Sequence, residues 1–447
     1  MNGIALPPPN TPLPSDSSPL SATPRSPFRR ALANVGWLLS SKGVGAVLSL
    51  VYLALATRTL GIRGFGEFAL ILGAAQGVAA LVGFESWQSV VRFGLKHLHE
   101  HAEDRLLALI RFSLLLDIVA ALVGCGVAAI ALLIMRERFG WSAELARDAF
   151  FFSLATLLSV RSTAIGVLRL HDRFALGAVA DSVTPIARFF GALLAVWSHA
   201  TITGFLIAWA MGEVLSAITY WIGAARVQPG ILGRPDSIAQ VAADNPGLLR
   251  FAWQTNLATT LNASSRQFAV VVVGFVAGPV AAGGYRLAYQ LSLALLRGSD
   301  LFARAVFPEV ARAHANKDSG DLATLARNSA RFTVSAGLIT CILVPLLGSP
   351  ALHLIGGKDF GAVYPLLVLL GVAASLDIMA VGFEPLLVGT GRAATALRIR
   401  LASVALLFGG MVAFMSRWGA VGAGVASIIA SGFALLLLMI SVRRLRT

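Results

Sequence analysis

Fourteen ionisable residues stand inside long apolar runs of this chain, and they pose its chemistry. Seven are basic, Lys42, Arg111, Arg161, Arg188, Arg266, Arg286 and Arg297, and seven are acidic, Glu85, Asp117, Asp181, Glu213, Asp300, Asp377 and Glu384. A charge near the centre of a bilayer costs at least about 2.5–3.5 kcal/mol, so each needs a cavity or a partner. Asp181 lies seven residues before Arg188 on one helical face, which predicts a pair within one helix. Arg297 has Asp300 at i+3. Arg111 and Arg286 stand near the ends of their runs, where a long side chain can snorkel. Arg266 and Lys42 have no acid close by in their own runs, so their partner comes from another helix or from a ligand. Thr255, Thr259, Asn262 and Arg266 follow i, i+4, i+7, i+11 and share one face; Arg286, Tyr289, Gln290, Arg297 and Asp300 form a second stripe. Gly45, Ser49 and Tyr52 lie near the face of Lys42. Asp377 and Glu384, seven apart with Pro385 adjacent, are candidates for binding a coupling ion or proton, against the simpler role of pairing with cations of neighbouring helices.

The elements that position these charges are membrane helices. Of 447 residues, 57% are hydrophobic and 13% charged, where soluble domains carry about 25% charged residues. Mean hydropathy is +0.77. A span needs about 20 apolar residues, and such runs recur at 34–56, 68–92, 106–134, 147–168, 174–199, 201–225, 250–277, 280–303, 331–355, 361–388, 395–415 and 418–441. The chain thus reads as an all-α polytopic membrane protein of about twelve transmembrane helices. Residues 1–30 hold eight of the eighteen prolines and no long apolar run, so they read as a disordered tail without a cleavable signal.

The net charge of +14 suits the basic loops of a membrane protein better than a nucleic-acid surface, because Lys and Arg punctuate the apolar runs. With the N-terminus inside, 22 basic residues flank the spans on the cytoplasmic side and seven on the other, so both termini are expected in the cytoplasm. The chain also repeats itself. At an offset of 217, Gly61, Gly66 and Phe68 of LGIRGFGEFAL match Gly278, Gly283 and Tyr285 of AGPVAAGGYRL; Gly204 and Gly422 match at 218. Six spans per half in one orientation give a parallel repeat, with bundles at 31–225 and 250–447 joined by a cytoplasmic linker at 226–249.

Other chemistries find little support. Cys125 and Cys341 fall in separate apolar runs and read as packing residues. His97, His99 and His101 alternate in what reads as a solvated loop rather than a metal chelate. No Walker, dinucleotide, nucleophile-elbow or zinc motif is present, which favours a secondary process over an ATP-driven one and argues against an enzyme. No cofactor is expected beyond an H+ or Na+ coupling ion.

Several segments resemble the lipid-linked oligosaccharide flippases, the polysaccharide-biosynthesis or O-antigen flippase proteins of the multidrug/oligosaccharidyl-lipid/polysaccharide exporter superfamily. TRTLGIRGFGEFALI (57–71) is similar to their first extracytoplasmic loop and GGYRLAYQL (283–291) to the junction of helices seven and eight. AVFPEVARA (305–313), KDFGAVYPLLVLL (358–370), GTGR (389–392) and RWGAVGAGVAS (417–427) resemble later helix ends in the same order. The resemblance implies two six-helix bundles in a V around a central cavity and alternating-access movement of a polyprenyl-pyrophosphate-linked saccharide across the inner membrane. It implies membrane lipids, a polysaccharide polymerase and export machinery as partners, and no nucleic acid. It places spans one, two, seven and eight around the cavity, so Arg266, Lys42, Arg297 and Arg286 become candidate ligands of the pyrophosphate, with Asn262 and Thr259 adding neutral hydrogen bonds. Guanidinium groups suit that task because they offer paired donors to phosphate oxygens. The rival readings are a multidrug or organic-cation antiporter of the same superfamily, whose cavity should favour acids, and a membrane-embedded polysaccharide polymerase or ligase. The longest outer loop, about 135–146, is too short to carry the site such an enzyme needs.

Overall fold

The computed structural model describes residues 27–443 except 199–200, 234–236, 316–318, 384–386 and 388–391; the side chains of 27–44, 46, 254–255, 257–259, 261–263, 266, 295–330, 332, 393 and 443 also lie outside the described set. The chain divides into two compact units, Met1–Gly43, helical from residue 27, and Val44–Thr447. The fold and the site described below belong to the second.

The elements in order are α1 (Pro27–Val82), α2 (Ser86–His99), α3 (Glu103–Phe139), α4 (Ala143–Leu158), α5 (Ser162–Leu170), α6 (Phe174–Trp197), α7 (Ile202–Val227) and the short α8 (Ile238–Asp244). They continue with α9 (Leu248–Ala315), α10 (Ser319–Gly356), a 3-10 turn (Lys358–Val363), α11 (Tyr364–Val381), α12 (Ala393–Trp418) and α13 (Ala420–Arg443). No strand occurs among the described residues. Among the described residues, ten helical runs are long and apolar enough to cross a membrane. Their outward faces are apolar: on α3, Leu122, Ile130 and Leu133 are about three-fifths exposed, which suits contact with lipid chains.

Two of the ten runs fold back on themselves. Gly61 (φ 65°, ψ 178°) interrupts α1 and Gly278 (φ 86°, ψ 173°) interrupts α9, both in backbone territory that only glycine occupies readily. The Tyr52 and Phe68 rings each stack edge-on against Trp209, at 4.9 and 5.1 Å. Sixteen residues along a straight helix would hold them about 24 Å apart, so the chain reverses at Gly61. Arg286 likewise bonds Gln267 at 2.8 Å, across a separation that a straight helix would stretch to about 28 Å. The two reversals bring the spans to twelve. They also correct the boundary of the second span: a single glycine makes the turn expected to occupy 57–67, and that span begins at 62 rather than 68.

The matched glycines pack against each other. A β-carbon on Gly66 would lie 2.0 Å from the Pro279 carbonyl oxygen, and one on Gly283 would lie 2.8 Å from that of Ile62. Ile62 and Pro279 are themselves 217 apart, so the contact is reciprocal, as a two-fold relation between repeats requires. Hydrogen bonds between the halves flank this contact. Arg58 donates to the Leu354 carbonyl at 2.7 Å, while Arg138 donates to the Phe275 carbonyl at 3.0 Å. Thr57 adds a 2.6 Å bond to the Ile355 carbonyl. The two halves are therefore joined closely at the end that carries Gly61 and Gly278, here called the junction end.

The segment between the halves is folded onto the N-terminal one. Val241 and Leu248 are buried with Leu109 and Phe112 of α3, and Arg105 pairs with Asp244. This packing corrects the reading of the histidines: His97 lies in the last turn of α2, is buried, and meets Asn245 through Nε2 at 2.9 Å.

Candidate functional site

The fourth span is broken, and the break builds the site. α4 ends at Leu158 and α5 begins at Ser162, leaving 159–161 non-helical. Broken helices at membrane depth persist where side chains re-satisfy the freed backbone. Here the Trp221 indole donates to the Val160 carbonyl at 2.7 Å, and the Thr163 amide at the start of α5 donates to Asp117 Oδ2 at 3.1 Å. The same break turns Arg161 towards Glu213 of α7, 2.7 Å away.

Glu213 has a second partner, Arg188 of α6, at 2.5 Å. α6 and α7 approach closely because small residues line their seam: Gly191 lies against Ala208, Gly204 against Ala195, and Gly212 against the Arg188 stem. One carboxylate thus holds two guanidinium groups, leaving the cluster with a net positive charge. The Arg188 guanidinium also sits 5.5 Å from the centre of the Trp209 ring, and its buried Nε has no hydrogen-bond partner. This arrangement overturns the expected pair of Arg188 with Asp181; Asp181 instead accepts a 2.6 Å hydrogen bond from the Tyr220 hydroxyl.

Arg188 is shared by two chambers. The first is a narrow space of about 60 Å³ lined by Ser49, Tyr52, Phe65, Phe68, Trp209, Arg286 and Gln290 among others. The second, of about 550 Å³, is lined by Gln76, Asp117, Thr156, Arg161, Glu213 and Gln267 among others. Arg286 connects them: one guanidinium nitrogen donates to Gln267 at 2.8 Å and the other to Gln76 at 3.4 Å. Arg286 is 8% exposed and is bonded to neutral amides, so it does not snorkel, as its position in the sequence suggested. Among the described residues it pairs with no carboxylate. Towards the junction end the first chamber is roofed by Phe65 against Phe360 and by Tyr52 and Phe68 against Trp209.

Of the substrate ligands proposed from the sequence, Arg286 lines the first chamber, and the intramembrane charges Asp117, Arg161, Arg188 and Glu213 line the chambers with it. The side chains of Lys42, Thr259, Asn262, Arg266, Arg297 and Glu384 lie outside the described residues. Asp377 is half-buried in α11 and has an interaction partner there. Arg161, Arg188 and Glu213 were visible in the sequence as intramembrane charges, but their grouping was not, because it depends on the break in the fourth span. Gln76, Gln267 and Trp209 carried no sequence signal beyond being polar or aromatic within apolar runs. No group of three or more His, Cys, Asp or Glu able to hold a metal occurs among the described residues.

This fold is shared with solved transporters. The chain superposes on a multidrug resistance transporter of the MATE family in the MOP superfamily, in its inward-facing conformation, with a TM-score of 0.72 at 13% identity, covering 90% of this chain and 95% of that one. It superposes on the lipid II flippase MurJ, in its inward closed conformation, with a TM-score of 0.70 at 16% identity, covering 91% and 87%. In sequence it is 29% identical over 353 residues to the inner membrane protein YghQ of Escherichia coli (strain K12), covering 76% of this chain and 96% of that protein. The polysaccharide biosynthesis protein family matches residues 31–314. Twelve spans, paired glycine reversals and that match converge on one assignment: the chain is a member of the polysaccharide biosynthesis protein family.

Proposed function

We propose that this protein moves a polyprenyl-pyrophosphate-linked saccharide across the inner membrane by alternating access, with both termini in the cytoplasm. The observation that carries this reading is the charge of the paired chambers. Three arginines, Arg161, Arg188 and Arg286, face them against two acids, Glu213 and Asp117. Among the described residues Arg286 is balanced by no carboxylate, and Arg188 keeps a free N–H donor. A dry, fixed guanidinium without a counter-charge is costly, and a pyrophosphate would supply the missing acceptors. An organic-cation antiporter would have the opposite need. The sequence adds Lys42, Arg266 and Arg297 to the head-group set, with Thr259 and Asn262 as neutral donors, and Asp377 and Glu384 as candidates for ion coupling. The domain reading of a tail, two six-helix bundles and the segment between them is part of this proposal, with the junction end as the pivot.

The test is a deletion strain. Lipid-linked saccharide should accumulate on the cytoplasmic face and disappear on complementation. Arg286→Ala should remove about 1.5–3 kcal/mol of head-group binding, roughly a tenfold to hundredfold loss of export, at normal membrane levels. Arg286→Lys should retain part of the activity, because the charge remains while the paired donors are lost. Absence of accumulated saccharide, together with new sensitivity to organic cations, would sink the flippase reading in favour of the antiporter.

A further inference from the structure

Asp117 of α3 is 5% exposed and lines the larger chamber. Its two oxygens have different surroundings. Oδ2 accepts hydrogen bonds from the Ser86 hydroxyl at 2.8 Å, the Thr163 hydroxyl at 2.7 Å and the Thr163 amide at 3.1 Å. Oδ1 is buried and accepts none. The Thr156 hydroxyl on the wall of the same chamber is likewise buried and unpartnered. No arginine or lysine pairs with Asp117 among the described residues. The nearby charged groups are Glu85, of the same sign, and Arg161, Glu213 and Arg188, which are engaged with one another.

Capping the broken fourth span explains one oxygen only. An asparagine would satisfy the Thr163 amide as well, so the second oxygen and the charge need another account. A buried carboxylate with a bare oxygen is stable only once something positive reaches it. The occupant must be small, since Oδ1 has almost no open surface, and it must come from the chamber. We propose that Asp117 is the site of a monovalent cation, H+ or Na+, which enters from the chamber and neutralises the carboxylate. If H+, the proton adds to Oδ1 and is returned to the same chamber; if Na+, Oδ1 supplies its anionic ligand. The site is distinct from Asp377 and Glu384. It rests on the transport reading for its purpose, but not for its detection.

Labelling of the full-length wild-type protein in liposomes with dicyclohexylcarbodiimide tests this directly, because the reagent modifies protonated carboxyl groups in apolar surroundings. Mass spectrometry should find the adduct on Asp117. Suppression by Na+ at constant pH, but not by choline, assigns Na+; suppression by raised pH alone assigns H+. In a folded Asp117→Asn variant, Na+ binding or proton uptake should fall to background. Labelling that neither Na+ nor pH changes overturns the proposal, because it marks a permanently protonated structural acid. Unaltered cation binding by folded Asp117→Asn overturns it too. These outcomes leave the accumulated lipid-linked saccharide of the deletion strain untouched, so failure of this site and failure of the flippase reading are separable.

Discussion

Gly66→Ala adds one methyl group at the tightest contact between the two halves. The new β-carbon would stand 2.0 Å from the Pro279 carbonyl oxygen and 2.6 Å from its carbon. To reach ordinary van der Waals contact at 3.4 Å, the halves must separate by about 1.4 Å. The obstruction is backbone, so no rotamer change relieves it. Within its own helix the substitution is favourable, since alanine exceeds glycine in helix propensity by about 1 kcal/mol. The cost therefore falls on the closed junction end alone. Overpacking costs about 1–3 kcal/mol, and a backbone obstruction belongs at the upper end of that range. At about 1.4 kcal/mol per decade, the population open at the junction end should rise roughly tenfold to hundredfold. A single cysteine at Gln290, which lines the chamber, reports this once Cys125 and Cys341 are replaced. Its labelling rate in intact cells by a membrane-impermeant thiol reagent should rise by that factor. Gly64→Ala is the control, because its β-carbon would meet only the Leu60 β-carbon at 3.3 Å and the Ile202 side chain at 4.0 Å. Equal labelling in a well-folded Gly66→Ala protein and in the control would refute the idea that this glycine contact holds the junction end shut.

Two further outcomes follow from the same structure. Glu213→Gln leaves Arg161 and Arg188 without their shared counter-charge and should destabilise the protein by about 1–3 kcal/mol, less than a fully dry pair because Arg161 is about one-third exposed; a thermal melt in detergent that does not move would show the cluster to be dispensable. A periplasm-active reporter fused after residue 447 should be silent and a cytoplasm-active one bright, given the 22-to-7 bias of flanking basic residues; the reverse pattern would invert the proposed orientation.

The sequence made the architecture legible because lipid leaves few options: apolar length gave the spans, and a recurring glycine gave the repeat. Gly61 and Gly278 proved to be the two reversals, with almost the same backbone angles. What could not be read was the partnership of charges. The pairing of Arg188 with Asp181 used neighbourhood along one helix, whereas the carboxylate it meets lies on the next helix, brought within reach by Gly191, Gly204 and Gly212. Nor did the break at 159–161 announce itself, since neither proline nor glycine marks it; Ser159, Ser162 and Thr163 are its faint polar trace. The buried His97 was mistaken for a loop residue because its partner, Asn245, is 148 residues away.

The repeat is symmetric in its mechanics and asymmetric in its chemistry. The reversals at Gly61 and Gly278 and the glycine contacts obey the offset of 217. The charged cluster does not. Under that offset Asp117, Arg161 and Arg188 fall on Val334, Ile378 and Ala405, and under the offset of 218 that matches Gly204 with Gly422, Glu213 falls on Ser431; none of the four is charged. On the proposed alternating-access reading, a pivot at the junction end needs two matching halves. A binding site in the crevice needs its charges only once, and doubling them would double the cost of holding ions in a low dielectric. The N-terminal half thus holds the described ion cluster and Asp117, and the C-terminal half contributes Arg286 and Gln267 across the gap. Because the chambers take lining residues from both halves, any rocking about the junction end must change the distance between Arg286 and the Arg161–Glu213–Arg188 cluster. On the proposed flippase reading, that coupling of movement to the spacing of fixed cations would give an anionic head group different affinities in the two states, which is the condition for a ligand to drive the change.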